Sequence, residues 1–203
     1  MATNTSRING ARPVKHLNGS PYNGQCNIYE VPAGETAPVF KGDFVIMSNS
    51  DASDVYNAVE VVAGSGEVTT GVLIVGVVVG FVNDFSTNRD LPIYSKGSAK
   101  RLVYVADSPD LVFEIQDGGT VPCTMALIGS NTGIQATAGS TVTGNSKMTT
   151  GATAPSTSNA LPLKIYGVVN SPDNNFATAG VANQKLLVLI NTHYWQAPAT
   201  AAS

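Results

Sequence analysis

The run VLIVGVVVGFV, Val72 to Val82, is the longest apolar stretch in the chain. Its length limits what it can be. A helix needs about 20 apolar residues to cross a bilayer, and this run supplies about half that while holding Gly76 and Gly80. Val, Ile and Phe dominate it, and these residues fit a pleated, buried surface. It reads as a strand in a protein core, and no membrane partner is expected.

Segments of the same type recur on both sides. NIYEV (Asn27–Val31) ends at Pro32, VFKGDFVIM (Val39–Met47) is interrupted by Gly42, and YNAVEVV (Tyr56–Val62) alternates up to a turn-like GSGE. Further along come LVYVA (Leu102–Ala106), LVFEIQ (Leu111–Gln116), Thr124–Ile128, LKIYGVVN (Leu163–Asn170) and KLLVLINT (Lys185–Thr192). Each is short and bounded by Gly, Pro, Asn or Asp. No stretch of about 12 residues has helical periodicity with caps, and at most a helical turn is expected near Asp51–Tyr56. Many short strands at near-regular spacing predict one all-β domain, a β-barrel or a β-sandwich of mostly antiparallel strands.

The chain has 203 residues, of which only 12% are charged, and its formal net charge is −3. Globular proteins carry about 25% charged residues. With 43% hydrophobic residues the chain can build a core, which excludes a disordered acidic or basic tail protein. The absence of a basic excess argues against a nucleic-acid partner. The few charges are unevenly spread. Of the 14 acids, 13 lie between Glu30 and Asp117, whereas residues 1–25 hold Arg7, Arg12, Lys15 and His16 and no acid.

Three regions follow from this distribution. Residues 1–25 read as an extended basic N-terminal arm without a core of its own, ordered on docking. Arg7, Arg12, Lys15 and His16 are its candidate polar contacts, and Pro13, Val14, Leu17 and Tyr22 its apolar anchors. On this reading, deleting residues 1–20 leaves a folded body that no longer binds its partner. Residues 26–195 form the β-rich body, and 196–203 a flexible tail. Within the body, residues 129–160 are mostly Thr, Ser, Gly and Ala with one charge, Lys147. That stretch holds weak strands such as Thr141–Thr143, or is a loop ordered by another chain, or is a floppy linker. Trp195, the only tryptophan, follows the last strand with Tyr194 and is either a core plug or a partner-facing anchor.

Chemistry is sparse. Cys26 and Cys123 are too few for a disulfide framework and read as two thiols or one disulfide. His16 and His193 have no metal-ligand spacing, and there is no G-x-S-x-G elbow. The glycines of Gly64–Gly71 lack the Gly-Lys-Ser/Thr ending of a phosphate loop. Asp107 and Asp110 belong to the turn ADSPD ahead of Glu114, and Asp43, Asp51 and Asp54 form no calcium loop. No enzyme activity, metal or cofactor is expected. The N-terminus lacks the apolar stretch of a secretory signal, so synthesis in the cytoplasm is expected.

Three blocks together carry a family resemblance: RPVKHLNGSPYNGQ (Arg12–Gln25), VYVADSPDLVFEIQ (Val103–Gln116), and the closing pair LKIYGVVN and LLVLINTHYW. With GVVVGFVN (Gly76–Asn83), they resemble a family of small virion structural proteins of tailed bacteriophages. The resemblance implies a capsid decoration (cement) protein on the outside of the head, with the major capsid protein as partner. By analogy with other cement proteins it also implies a homo-oligomer, a trimer first. Two other readings stand beside it: a head–tail joining or tail protein, and a carbohydrate-binding β-domain displayed on the virion.

Overall fold

The computed structural model describes residues 4–49, 55–62, 66–69, 71–83, 92–118, 123–175 and 182–196. In chain order its strands are β1 (Arg12–His16), β2 (Asn27–Val31), β3 (Phe44–Met47), β4 (Val59–Val61), β5 (Gly66–Val68), β6 (Ile74–Phe81) and β7 (Arg101–Ala106). They continue as β8 (Leu111–Gln116), β9 (Asn131–Thr132), β10 (Ile134–Ala136), β11 (Thr149–Thr150), β12 (Leu163–Val168) and β13 (Lys185–Ile190). Apart from one 3₁₀ turn at Met125–Leu127, every regular element among the described residues is a strand. The all-β expectation holds.

The strands form three antiparallel sheets: β1-β8-β13-β12-β9, β2-β7-β6-β3-β4 and β11-β10-β5. The two five-stranded sheets pack through one apolar core, where Phe44 of β3 meets Phe113 of β8 edge-on at 6.4 Å between ring centroids. Of the two predicted forms this is the sandwich, with no closed barrel among the described residues. The second sheet curls until β2 and β4 touch. The Glu30 N–H donates to the Asn57 carbonyl at 3.0 Å, a single bridge rather than a ladder.

The apolar run at Val72–Val82 supplies β6, between β7 and β3 in the middle of the second sheet. Its first five residues, Ile74 to Val78, are all buried, as a central strand covered on both faces requires. Gly76 is there for space. A Cβ at that position would lie 2.3 Å from the Ala106 carbonyl oxygen, so any side chain would push β6 off β7. Outer strands show the alternation of a half-buried sheet: on β12, Leu163 and Ile165 face in while Lys164 and Tyr166 face out.

Three expectations are corrected. First, residues 12–16 are no detached arm. They form β1, the edge strand of the first sheet, with Arg12 opposite Glu114 and Pro13 opposite Phe113. An edge strand tolerates proline because one row of its N–H groups needs no ladder partner. Second, Thr124–Ile128 is not a strand. Met125 and Ala126 are exposed while Leu127 and Ile128 pack on the core, a two-out, two-in pattern that a strand of period two cannot make. Third, the weak strands that are one of the alternatives for residues 129–160 are present as β9, β10 and β11, but not at Thr141–Thr143, which is a turn with Val142 86% exposed. The turn-like GSGE likewise runs into β5, which pairs with β10. The helical turn expected at Asp51–Tyr56 falls largely outside the described residues, as does the tail beyond Gln196.

Candidate functional site: a cationic groove beside the N-terminal strand

The N-terminal segment is held to the body by backbone and amide bonds before β1 begins. Asn4 is buried, donates to the carbonyls of Asn175 (3.1 Å) and Ala182 (3.2 Å), and accepts from the Asn175 N–H at 2.6 Å. The Arg7 N–H donates to Gln116 Oε1 at 2.7 Å. Gly10 and Gly42 then meet backbone to backbone. The Ala11 N–H donates to the Gly42 carbonyl at 2.9 Å, and a Cβ on Gly10 would lie 2.4 Å from Ser146 Cβ. Both glycines have positive φ (69° and 93°), so the close approach and the left-handed backbone both exclude a side chain.

This junction carries Lys41 on a rigid base. The Lys41 N–H donates to the Gly144 carbonyl (3.0 Å), its own carbonyl accepts from Ser146 (2.8 Å), and the Gly42 N–H donates to Val78 (2.8 Å). Between the junction and β1 lies a groove of about 420 Å³. Its charged lining is Arg7, Arg12, Lys41 and Lys185 against one carboxylate, Glu114, with Asn9 and Asn145 supplying amides. Arg12 is paired with Glu114 at 2.9 Å, and Lys185 with Asp173 at 2.6 Å. The side chains of Arg7 and Lys41 are exposed and have no carboxylate partner among the described residues. In a chain of net negative charge, this is a local excess of cations on a fixed frame. Chemically it attracts and holds anionic groups.

The structure brings together only some of the residues singled out in the sequence. Arg7, Arg12 and Pro13 line the groove. Lys15 turns away, its ammonium 4.9 Å from the ring centroid of Tyr166. His16 Nδ1 meets Asp110 Oδ2 at 3.1 Å, and Asp110 is held below the usual carboxylate range mainly by the Ser108 hydroxyl, with His16 adding to it. Val14 is half-buried, Leu17 is exposed, and Tyr22 packs against the core with its hydroxyl on the Gln25 carbonyl. Tyr194 packs on the core while Trp195, at 50% exposure, does not plug it.

Lys41 and Lys185 were missed because both lie far from the arm in sequence. The available signal was charge: a purely basic N-terminus beside an acidic body. Glu114 and Asp110, the acids that Arg12 and His16 find, belong to that body. Elsewhere, both cysteines are free, with Cys123 buried and its thiol pushed up to about 11 chiefly by burial. Glu67 is turned onto Thr153, accepting from its N–H at 2.9 Å. No cluster of three His, Cys, Asp or Glu that could hold a metal occurs among the described residues, and no helix there is long and apolar enough to cross a membrane. Comparison with protein families, with curated proteins and with solved structures finds no match.

Proposed function

We propose that the protein is a bacteriophage capsid decoration (cement) protein that binds the outside of the head shell. Its partner is the major capsid protein, met through the groove beside β1, and its copies are trimers at threefold positions. The observation that carries this reading is the groove itself, with four cations against one carboxylate on a backbone frame that needs no ordering on docking. A preformed anion-binding surface suits a partner with an acidic face, because little conformational entropy is lost when it docks. The three blocks resembling virion structural proteins support the same reading. A low-charge body adds to it, since repeated copies packed on a shell accumulate little mutual repulsion.

A reconstruction of the intact particle tests this. The expected result is copies of the chain over the outer head surface, with β1 and the Lys41 turn facing the capsid protein. A ring of copies at one vertex or along a tail would replace decoration with a joining or tail role, and absence from the particle would end the virion reading.

A further inference from the structure

On the second sheet, where β2 begins and β7 ends, lies a shallow cleft of about 850 Å³ that the groove does not share. Trp195, Tyr56, Asn27, Asn57, Asp107 and Ser108 line it. Its parts are fixed in place. Beyond β13 the chain is laced to the start of β6: the Ile74 N–H donates to the Thr192 carbonyl (2.9 Å), the Tyr194 N–H to the Ile74 carbonyl (2.8 Å), and Thr192 Oγ1 to Val72 (2.6 Å). The Trp195 N–H donates to Nδ1 of the buried His193 at 3.2 Å, and the indole stands edge-on to Tyr194 at 5.0 Å between ring centroids. A half-exposed tryptophan is thus held rigid, with one side open to the cleft.

Opposite it, the Asp107 carboxylate has a set orientation. Tyr29, whose ring is buried and whose hydroxyl is pushed upward in pKa by burial and by this contact, donates to Oδ2 at 2.7 Å. Asn27 Nδ2 donates to both carboxylate oxygens at 3.0 Å. A carboxylate has about four acceptor sites, so Oδ1 keeps capacity for another donor. The Asn57 side chain is exposed at the same rim. An apolar partner would meet a carboxylate and two amides beside the indole and leave them unsatisfied on docking. An anionic ligand would be repelled by Asp107. One aromatic face beside planar, oriented acceptors and amides matches a different ligand, one with an apolar C–H face and hydroxyls around its edge.

We propose that this cleft is a carbohydrate subsite that takes a neutral pyranose, one ring face lying on the Trp195 indole and adjacent hydroxyls bonded to Asp107, Asn27 and Asn57. Hydroxyls donate to Asp107 Oδ1, and the asparagine amides both donate and accept. The subsite shares no residue with the cationic groove, so its binding is independent of shell attachment.

Trp195 is the only tryptophan, so the chain's indole fluorescence reads the cleft directly. The intact protein is titrated with methyl glucoside, methyl galactoside, methyl mannoside and N-acetylglucosamine. The expected result is a saturable emission shift with at least one of these sugars, insensitive to salt. By saturation-transfer NMR, the affinity should fall about tenfold or more in Trp195→Ala and in Asn27→Ala, both at exposed positions that leave the fold intact. It should be unchanged in Arg7→Glu/Lys41→Glu, which separates this proposal from the shell-binding one. Three results overturn it: no saturable response to any of the sugars, full binding by Trp195→Ala, or an emission shift that follows protein concentration alone. The last would assign the indole to a contact between copies of the chain.

Discussion

Asp43 sits almost wholly buried at the junction that carries Lys41, with Oδ2 accepting from the Phe40 N–H at 2.7 Å. Burial raises its pKa to about 7, partly offset by the Ser146 hydroxyl and the Phe40 amide. The folded protein therefore keeps a proton on Asp43 between about pH 4 and pH 7, where the unfolded chain has lost it. Stability falls as pH rises through that window, and the full cost, on the order of 4 kcal/mol, is reached above it. Asp43→Asn removes the ionisation while keeping an oxygen for the Phe40 amide. Thermal melts of the two proteins from pH 5 to pH 8 should show the wild-type midpoint falling relative to the variant. A constant difference would mean that Asp43 titrates normally. By contrast, the Arg12–Glu114 pair is largely exposed on the arginine side, and such pairs contribute about 0–1 kcal/mol. What holds β1 is its backbone ladder more than its charge.

At the scale of elements, β1 and β6 make the clearest claims. If residues 4–25 were an arm ordered only on docking, their amides would exchange freely in the isolated protein. The backbone bonds of Ala11 to Gly42, Leu17 to Asp110 and Tyr22 to Val14 predict otherwise. These amides should exchange about 100-fold or more slowly than in an unfolded peptide, and free exchange would restore the detached arm. Deleting residues 1–20 therefore strips an edge strand from Phe113 and Leu111, so loss of binding by that truncation would not isolate a docking segment. On β6, Gly76→Ala should destabilise by about 1–3 kcal/mol or more, because the new methyl meets the Ala106 carbonyl and no flexible group can yield. An unchanged midpoint in urea would show that β6 and β7 are less closely paired. The long apolar strands were legible in sequence because apolar and β-branched residues mark them directly: Asn27–Val31 and Leu111–Gln116 match β2 and β8 end to end. β9, β10 and β11 were not. They are two or three residues long and rich in Thr, Asn and Gln, and only Ile134, Ala136 and Met148 tie that region to the core. Short polar strands are defined by the neighbours that pair with them, and pairing is not written in local composition.

For the whole molecule, the uneven charge has a different meaning in three dimensions. The basic N-terminus and the acidic body, separate blocks along the chain, meet in space, where Arg12 pairs with Glu114 and the His16 ring lies within hydrogen-bond distance of Asp110. Two of the cations that have no carboxylate partner among the described residues, Arg7 and Lys41, are gathered beside the Gly10–Gly42 contact into one groove. Part of that groove could be named in advance, because Arg7 and Arg12 stand in a basic segment. Lys41 could not, since only the fold brings it there. The most direct test is binding of the purified protein to undecorated heads, comparing wild type with Arg7→Glu/Lys41→Glu at two salt concentrations. These positions are exposed, so the fold should be unaffected. Wild type should bind saturably and more weakly at high salt, and the double variant should lose about tenfold or more in affinity. Equal, salt-independent binding by both proteins would contradict the account.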